Sequence, residues 1–218
     1  MSLSIAAAGP QGRHVFITRE LTGLILPIRA YGDPILREKA HEVTGNSPEL
    51  QVLIDNMIET MRGADGAGLA APQVGQGLRL FVADLTEAWR ALPLSLRTEI
   101  PPQPMVCINP EIIETSDEQA EFGEGCLSIP GLIEEIRRPW RVKLRYLDRE
   151  FQECEIEGVS YTASVLQHEY DHLDGILHID YLTSERRMQL EEKLRDIETG
   201  RVRPSYPMQY HISPDSAT

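Results

Sequence analysis

Residues 167–173 read Gln-His-Glu-Tyr-Asp-His-Leu and carry the pattern His-Glu-x-x-His. His168 and His172 are four residues apart, so on one α-helix their imidazoles share a face and can bind a single metal ion. Glu169 would then lie beside a water molecule at that metal. The alternative is a helix with two hydrogen-bonded histidines and a surface glutamate, although the pattern is rare by chance in a chain with 6 histidines. The pattern therefore predicts a helix with a metal-binding face.

A third protein ligand has to come from elsewhere, because a tetrahedral catalytic metal site usually has three protein ligands and water in the fourth position. Cys126 is the candidate. It lies in the segment Glu-Gly-Cys-Leu-Ser at 124–128, where Gly125 lets the backbone come close and a thiolate suits a borderline-soft metal. Spacing alone leaves open that Cys126 is an ordinary buried cysteine, with Cys107 and Cys154 as competitors. Those two lie in apolar or alternating segments, and we assign both to structure.

The segment 66–75 is rich in small residues and reads Gly-Ala-Gly-Leu-Ala-Ala-Pro-Gln-Val-Gly. Small residues at this density allow a substrate backbone to approach closely, and Gln73 offers an amide donor. The segment is not a phosphate-binding loop, because it lacks the Gly-Lys-Ser/Thr ending and precedes a predicted strand instead of following one. A turn-rich connection between a helix and a strand is the alternative explanation.

The composition narrows the class of protein. Hydrophobic residues at 41% and charged residues at 25% are typical of a globular chain. The 21 Lys and Arg stand against 34 Asp and Glu, and the resulting net charge of −13 argues against nucleic acid as a direct substrate. No apolar run approaches the ~20 residues of a membrane helix, so we expect no membrane partner. Three widely spaced cysteines do not form a disulfide framework, which favours a reducing compartment.

A length of 218 residues is consistent with one folded domain. We predict a flexible N-terminal extension over 1–23, a catalytic domain over 24–206 and a C-terminal tail or edge contact over 207–218. The extension contains no apolar segment long enough for a signal peptide, and an organellar transit peptide is the alternative to a plain extension.

Periodicity and end signals predict the elements around these motifs. Ser47 as N-cap and Pro48 at the first helical position predict an amphipathic helix that ends near Gly63. The other predicted strands and loops are a buried strand over 78–85, a surface loop over 86–104, a short strand over 105–108, and a strand over 142–146 with a hairpin to 153–156. Two further helices are predicted. One has Thr162 as N-cap and runs to about Leu173, and the last covers 184–200 with Leu190, Leu194 and Ile197 on one face.

An acidic segment over 111–136 is followed directly by a basic segment over 137–149, which predicts cross-strand ion pairs. Taken together, the elements predict a single α+β domain. Antiparallel or mixed β-sheets would pack around a central metal-binding helix, with a further helix near the C-terminus.

In this order, the three motifs closely resemble the signatures of the peptide deformylases: Gly-x-Gly-Leu-Ala-Ala-Pro-Gln, Glu-Gly-Cys-Leu-Ser and Gln-His-Glu-x-Asp-His-Leu. The resemblance extends from about residue 26 to residue 206. It implies that Cys126 joins His168 and His172 as the third metal ligand, and that Glu169 is the acid/base. The metal that the resemblance implies is iron(II), for which zinc, nickel or cobalt can substitute.

The resemblance also assigns roles near the metal. Gln73 and the backbone N–H of Leu127 would donate hydrogen bonds to the developing oxyanion. The residues implied to contact the substrate are Ala67, Gly68, Leu69, Gly125 and Val165. Glu124 and Asp171 lie next to ligands in the sequence, and either they orient those ligands or they form ordinary salt bridges.

The activity implied is removal of the formyl group from the N-terminal formyl-methionine of newly synthesised polypeptides, with release of formate. The expected partners are formylmethionyl nascent peptides and, transiently, the ribosome, and the expected location is the cytoplasm, with an organelle as the alternative. Two rival hypotheses remain open. A general metallopeptidase would share His-Glu-x-x-His, and a catalytically silent homologue would bind metal or peptide without turnover.

Three positions depart from the usual family pattern. Ala67 stands where Val or Ile is common, and Ile133 and Ser164 stand where many members have Arg. These departures concern substrate contacts and supporting hydrogen bonds rather than the metal ligands. Arg137 or Arg138 is a candidate to supply a missing cation.

Overall fold

The computed structural model of the protein describes residues 22–97 and 99–211. Residues 1–21 of the predicted N-terminal extension and residues 212–218 of the predicted C-terminal tail lie outside the described residues. Among the helices of the described part, none is both long and apolar enough to cross a membrane.

Nine strands and five α-helices are present in the described ranges. The strands are β1 (Ile28–Arg29), β2 (Gly68–Ala70), β3 (Leu80–Ala83), β4 (Met105–Thr115), β5 (Gln119–Cys126), β6 (Ile129–Pro139), β7 (Arg141–Leu147), β8 (Glu153–Val159) and β9 (Met208–Gln209). The helices are α1 (Pro48–Gly63), α2 (Thr86–Ala91), α3 (Tyr161–Leu173), α4 (Ser184–Gln189) and α5 (Glu191–Glu198).

The main sheet has five antiparallel strands in the order β2-β3-β4-β7-β8. Strands β5 and β6 form a separate antiparallel hairpin, and β1 pairs with β9 in parallel. Helix α3 packs against β2, β3 and β8, and α5 packs against β6. The predicted α+β class, with sheets packed around the histidine-bearing helix and a further helix near the C-terminus, is confirmed.

Strand β3 shows why the apolar run at 78–85 is buried on both sides. Leu80 and Val82 pack with α1 on one face of the sheet, whereas Phe81 and Ala83 pack with α3 on the other. Because successive side chains of a strand point to opposite faces, a sheet covered by helices on both faces needs apolar residues at every position. The main sheet is therefore the layer between α1 and α3.

The predicted first helix is confirmed over Pro48–Gly63. The Ser47 side chain accepts a hydrogen bond of 3.2 Å from the Leu50 backbone N–H, which satisfies one of the free donors at the helix start. The predicted strand and hairpin over 142–156 correspond to β7 and β8. The predicted ion pairs are present as well, for example between Arg141 and Glu114 at 3.0 Å.

The prediction of a loop over 86–104 was wrong for the first part of this segment, which forms α2. Just before this short helix, the Asp84 carboxylate accepts a hydrogen bond of 3.0 Å from the Thr86 N–H. The predicted strand over 105–108 continues to Thr115. A register irregularity at Asn109 and Pro110 lets the strand pass a proline that would otherwise end it.

Two helix ends also differ from prediction. Helix α3 begins at Tyr161, and the Thr162 hydroxyl accepts a hydrogen bond of 2.9 Å from the Val159 N–H instead of acting as N-cap. The single helix predicted over 184–200 is two helices that meet at Leu190. The predicted apolar face is nevertheless buried, and it packs against the β5–β6 hairpin through Leu190, Leu194 and Ile197.

The chain after residue 206 makes an edge contact. Strand β9 (Met208–Gln209) lies beside β1, with Ile28 opposite Met208 and Arg29 opposite Gln209. The contact brings the end of the described chain back to the beginning of the folded domain.

Candidate metal centre

The two histidines of α3 lie side by side on its buried face. Their ring centroids are 5.0 Å apart, and His168 and His172 are 8% and 1% exposed. Cys126 is the last residue of β5, and its Sγ lies 3.3 Å from Nε2 of His172. One ligand atom from each of the three residues falls within 4.8 Å of the other two. The third ligand that spacing alone left open is therefore brought to the histidines by the β5–β6 hairpin.

The donor set suits a borderline divalent metal, since it combines one cysteine sulfur with two imidazole nitrogens. Three polar side chains buried together are costly unless something compensates them. Nδ1 of His172 and Oε2 of Glu169 are buried with no hydrogen-bond partner among the described residues. Convergent ligand atoms, with the unpartnered Oε2 of Glu169 beside them, fit a metal ion and an associated ligand.

Glu124 fixes the orientation of His168. Its Oε2 lies 2.9 Å from Nδ1 of His168. Burial acts to raise the pKa of Glu124, but hydrogen bonds from His168 and Arg138 outweigh it and lower the pKa to about 2. An ionised carboxylate only accepts hydrogen bonds, so Nδ1 carries the proton and Nε2 is left free for a metal.

Glu124 is held in turn by two further groups. Nη2 of Arg138 donates to Oε2 at 2.9 Å, and the Ser164 hydroxyl donates to Oε1 at 2.8 Å. Nη1 of Arg138 also contacts Asp171 at 2.7 Å, so this cation is committed to two carboxylates. Glu124 and Asp171 therefore have different roles. Glu124 orients a histidine, whereas Asp171 binds an arginine.

The side-chain amide of Gln73 points at the sulfur of Cys126. It lies in a short 3-10 helix after β2, where its Oε1 accepts a hydrogen bond of 2.8 Å from the Ala70 N–H. This contact leaves Nε2 as a donor, 3.3 Å from the Ser128 hydroxyl and 3.5 Å from the sulfur of Cys126. The segment 66–75 thus places an oriented amide donor beside the candidate metal centre.

Glu169 lies against the backbone of β2. A Cβ built on Gly68 would lie 2.6 Å from Cγ of Glu169, closer than real Cβ contacts, so any larger residue would force the Glu169 side chain to move. Burial raises the pKa of Glu169 to about 7. A carboxylate with this pKa can both take up and release a proton near neutral pH.

A cavity of about 640 Å³ opens over these groups. The predicted substrate-contact residues on its wall are Ala67, Gly68, Gly125 and Val165, together with Leu127. Leu69 is not on this wall. Its side chain is 0% exposed and packs in the α1 cluster, because alternation along β2 turns it away from the cavity.

Several residues around the cavity were not predicted from the sequence. Ala88 and Ala91 of α2 line it, in the segment that was predicted as a loop. The Tyr161 hydroxyl donates to the Gly123 carbonyl at 3.0 Å, and Tyr206 lines the cavity from the C-terminal end of the chain. No motif marks these positions, since they meet the site only through folding.

His178 was also missed. Its ring lies 5.7 Å from that of His168, and neither of its nitrogens has a hydrogen-bond partner among the described residues. Burial lowers its pKa to about 4, so the imidazole is neutral. This ring packs against His168 as an uncharged group.

The three departures from the family pattern have different structural contexts. Ile133 is 73% exposed on the cavity rim, and Ser164 is buried against Glu124. No lysine or arginine lines the cavity in the part of the chain that the structure describes. Arg138, considered as a substitute cation, is buried and paired instead.

Comparisons with known proteins agree with this geometry. The family model described as Polypeptide deformylase matches residues 25–188. The chain belongs to this family. A peptide deformylase of Salinibacter ruber is 52% identical over 185 residues, which cover 85% of this chain and 94% of that protein.

Solved structures show the same relationship. The peptide deformylase of Ehrlichia chaffeensis superposes with a TM-score of 0.73 at 36% identity, covering 81% of this chain and 98% of that one. The enzyme of Thermus thermophilus gives 0.69 at 38% identity, covering 81% and 99%. Members of the family are metal-dependent hydrolases that remove the N-terminal formyl group from nascent polypeptides, and this chain is such a hydrolase.

We expect Glu124→Gln to weaken binding of Zn²⁺ by about 10- to 100-fold. The neutral amide removes one of the two charge partners of Arg138 and accepts less strongly from His168. The dissociation constant is measured by competition with a chelator. Glu121→Gln, on the same strand but exposed, is the matched control and should keep the affinity of the unsubstituted protein. Equal affinities for the two variants would contradict the orienting role.

We expect Gly68→Ala to lower kcat for formate release by about 100-fold while metal content stays unchanged, because the new Cβ displaces the carboxylate of Glu169 by a fraction of an ångström or more. Formate is measured with a formyl-methionyl peptide. Gly77→Ala is the control, since a Cβ at Gly77 meets nothing within 4 Å. Full activity of Gly68→Ala would show that the position of Glu169 does not matter.

Proposed function

We propose that Sγ of Cys126 and Nε2 of His168 and His172 hold one iron(II) ion, and that zinc, nickel or cobalt can replace it. The observation that carries the proposal is the convergence of these three ligand atoms within 4.8 Å on the side of the cavity where Glu169 and Gln73 lie. A bound divalent metal supplies Lewis-acid chemistry, polarising the formyl carbonyl and lowering the pKa of water.

Glu169 is the acid/base of the proposed reaction. It takes a proton from the water that attacks the formyl carbon, as the new C–O bond forms. It then delivers a proton to the amine nitrogen of methionine as the C–N bond breaks, so that formate and a free N-terminus are released. Burial supports this role, because it places the pKa of Glu169 at about 7.

Gln73 and Leu127 stabilise the charge that develops on the formyl oxygen. Nε2 of Gln73 and the backbone N–H of Leu127 act as donors on the cavity wall. Removing one such donor typically lowers the rate by about 10²–10³-fold. Gln73 is preorganised for this task, since its other amide atom is bound to the Ala70 N–H.

The substrate lies in the cavity with its backbone close to small residues. Ala67, Gly68 and Gly125 leave room for a peptide chain beside β2 and β5, and Val165 offers an apolar contact for the methionine side chain. The side chain of Leu69 is in the core, so it makes no contact with the substrate in this proposal. The absence of cationic side chains on the wall of the described cavity favours substrates without acidic residues near the formyl-methionine.

We place the reaction in the cytoplasm, on chains that are still attached to the ribosome or have just left it, with transient contact to the ribosome. The substrate is the N-terminus of a new chain, which supports this location. Cations of the basic segment 137–149 form ion pairs, such as Arg145 with Glu155 at 3.1 Å and Arg149 with Asp55 at 2.9 Å. Paired cations leave little free positive charge for lasting contact with RNA, which supports a transient encounter.

We expect Glu169→Ala to lower formate release from a formyl-methionyl peptide by about 10²–10⁴-fold while the protein keeps its metal. Metal content is measured on the same samples, and Glu185→Ala on the exposed face of α4 is the control. Cleavage of internal peptide bonds without formate release would favour a general metallopeptidase. Tight peptide binding with no turnover by the unsubstituted protein would favour a silent homologue.

We expect the metal-free protein to be inactive and to regain its highest kcat/KM when loaded with iron(II) under anaerobic conditions. Zinc and nickel bind such sites more tightly than iron(II), so they should displace it during aerobic preparation and lower the activity. The measurement is kcat/KM against metal content for each loaded form. Cys126→Ala is the control and should not regain activity. Full activity in the absence of any metal would reject the proposal.

A further inference from the structure

The chain continues past the region that the family model matches, which ends at residue 188. After α5, residues 200–210 run back across the domain, and we call this segment the C-terminal strap. The strap is fastened to β1 and its neighbour by backbone hydrogen bonds. The Ile28 N–H donates to the Pro207 carbonyl and the Ala30 N–H to the Gln209 carbonyl, both at 2.9 Å.

A second contact closes the strap on itself. The Tyr210 hydroxyl donates to the Val202 carbonyl at 2.8 Å, and the Tyr210 ring covers Gly200. The strap is therefore a defined element that leaves the end of α5 and finishes beside β1.

Tyr206 is the residue by which the strap reaches the cavity. Its hydroxyl donates a hydrogen bond of 2.9 Å to the backbone carbonyl of Leu127, and its ring lines the cavity. The ring also packs against the same core cluster as the Leu127 side chain. Burial raises the pKa of Tyr206, so the hydroxyl stays protonated and remains a donor at neutral pH.

The group that Tyr206 holds is a turn at the centre of the site. Leu127 and Ser128 form the two-residue turn that joins Cys126 on β5 to Ile129 on β6. The Ser128 carbonyl accepts a hydrogen bond of 2.8 Å from the Tyr31 N–H. Both carbonyls of this turn are thus held from outside the hairpin, one by the chain after β1 and the other by the strap.

We propose that Tyr206 is a positioning residue for the reaction, which holds the turn so that the Leu127 N–H faces the formyl oxygen, and that the C-terminal strap reaches the active site through this one side chain. The inference rests on the proposed role of Leu127 as an oxyanion donor. A donor acts on the transition state only if it is already oriented, so its brace affects kcat more than KM. The functional domain accordingly extends past residue 206 to include β9.

The test compares two single-atom deletions in the strap. Tyr206→Phe and Tyr210→Phe each remove a hydroxyl that donates to a backbone carbonyl, but only Tyr206 contacts the turn. The measurements are kcat and KM for formate release from a formyl-methionyl tripeptide, metal content per chain, and the midpoint of thermal unfolding.

We expect Tyr206→Phe to lower kcat by about 10- to 100-fold with KM nearly unchanged and full metal content, because a small misplacement of a catalytic donor has effects of this size. Tyr210→Phe should keep the kcat of the unsubstituted protein, even if both variants unfold at a somewhat lower temperature. This pattern separates positioning from simple stabilisation of the strap.

Three results would overturn the inference. They are an unchanged kcat in Tyr206→Phe, an equal fall of kcat in both variants, and a fall of kcat that follows loss of metal. Each of these requires that the unsubstituted protein releases formate in the same assay. Failure of the unsubstituted protein to do so would instead reject the proposed function, and the role of Tyr206 with it.

Discussion

The buried carboxylate of Glu124 is the interaction on which the site depends. It accepts hydrogen bonds from His168, Arg138 and Ser164, and it thereby joins the β5–β6 hairpin to helix α3. Burying a charge of this kind is expensive unless it is paired on several sides, and breaking a buried pair by removing one partner typically costs about 3–5 kcal/mol. The network therefore stabilises the site and also restricts movement of the hairpin relative to α3. If the hairpin moved relative to α3, charged groups would lose their partners at the same time as Cys126 left the two histidines.

The residues of the proposed site come from four parts of the fold. Helix α3 carries two candidate ligands and Glu169, the hairpin carries Cys126 and Leu127, and the segment after β2 carries Gln73. The C-terminal strap carries Tyr206, the proposed positioning residue. Close packing restricts the sequence at β2, where a Cβ at Gly68 would displace the side chain of Glu169. The absence of a side chain at this position leaves the Glu169 carboxylate in place beside the cavity.

Much of the fold was predictable because its signals are local. The cap at Ser47, the two-faced apolar run of β3, and the alternating pattern of β7 each reflect contacts within a few residues or with one layer of the core. Predictions failed where a distant contact or a small local bond decided the outcome. Helix α2 has a hydrogen bond from Thr86 to Asp84 at its start, inside a segment rich in prolines, and β4 continues through a bulge at Asn109 that composition does not reveal.

The sequence by itself determined the spacing of His168 and His172, since residues four apart on any α-helix face the same side. It also determined which chemical groups are present, and the motifs identified the family. The spacing left the choice of cysteine open and the family resemblance indicated Cys126, but only the tertiary structure brings that sulfur to the histidines. Cys107 is buried in the core beside α3, whereas Cys126 ends a hairpin strand that stops within 3.3 Å of His172. The same holds for Leu69, whose side chain the strand turns into the core, and for Tyr206, which returns to the site from beyond α5. The physical reason is that strand register and long-range packing depend on the whole chain, and no short segment encodes them alone.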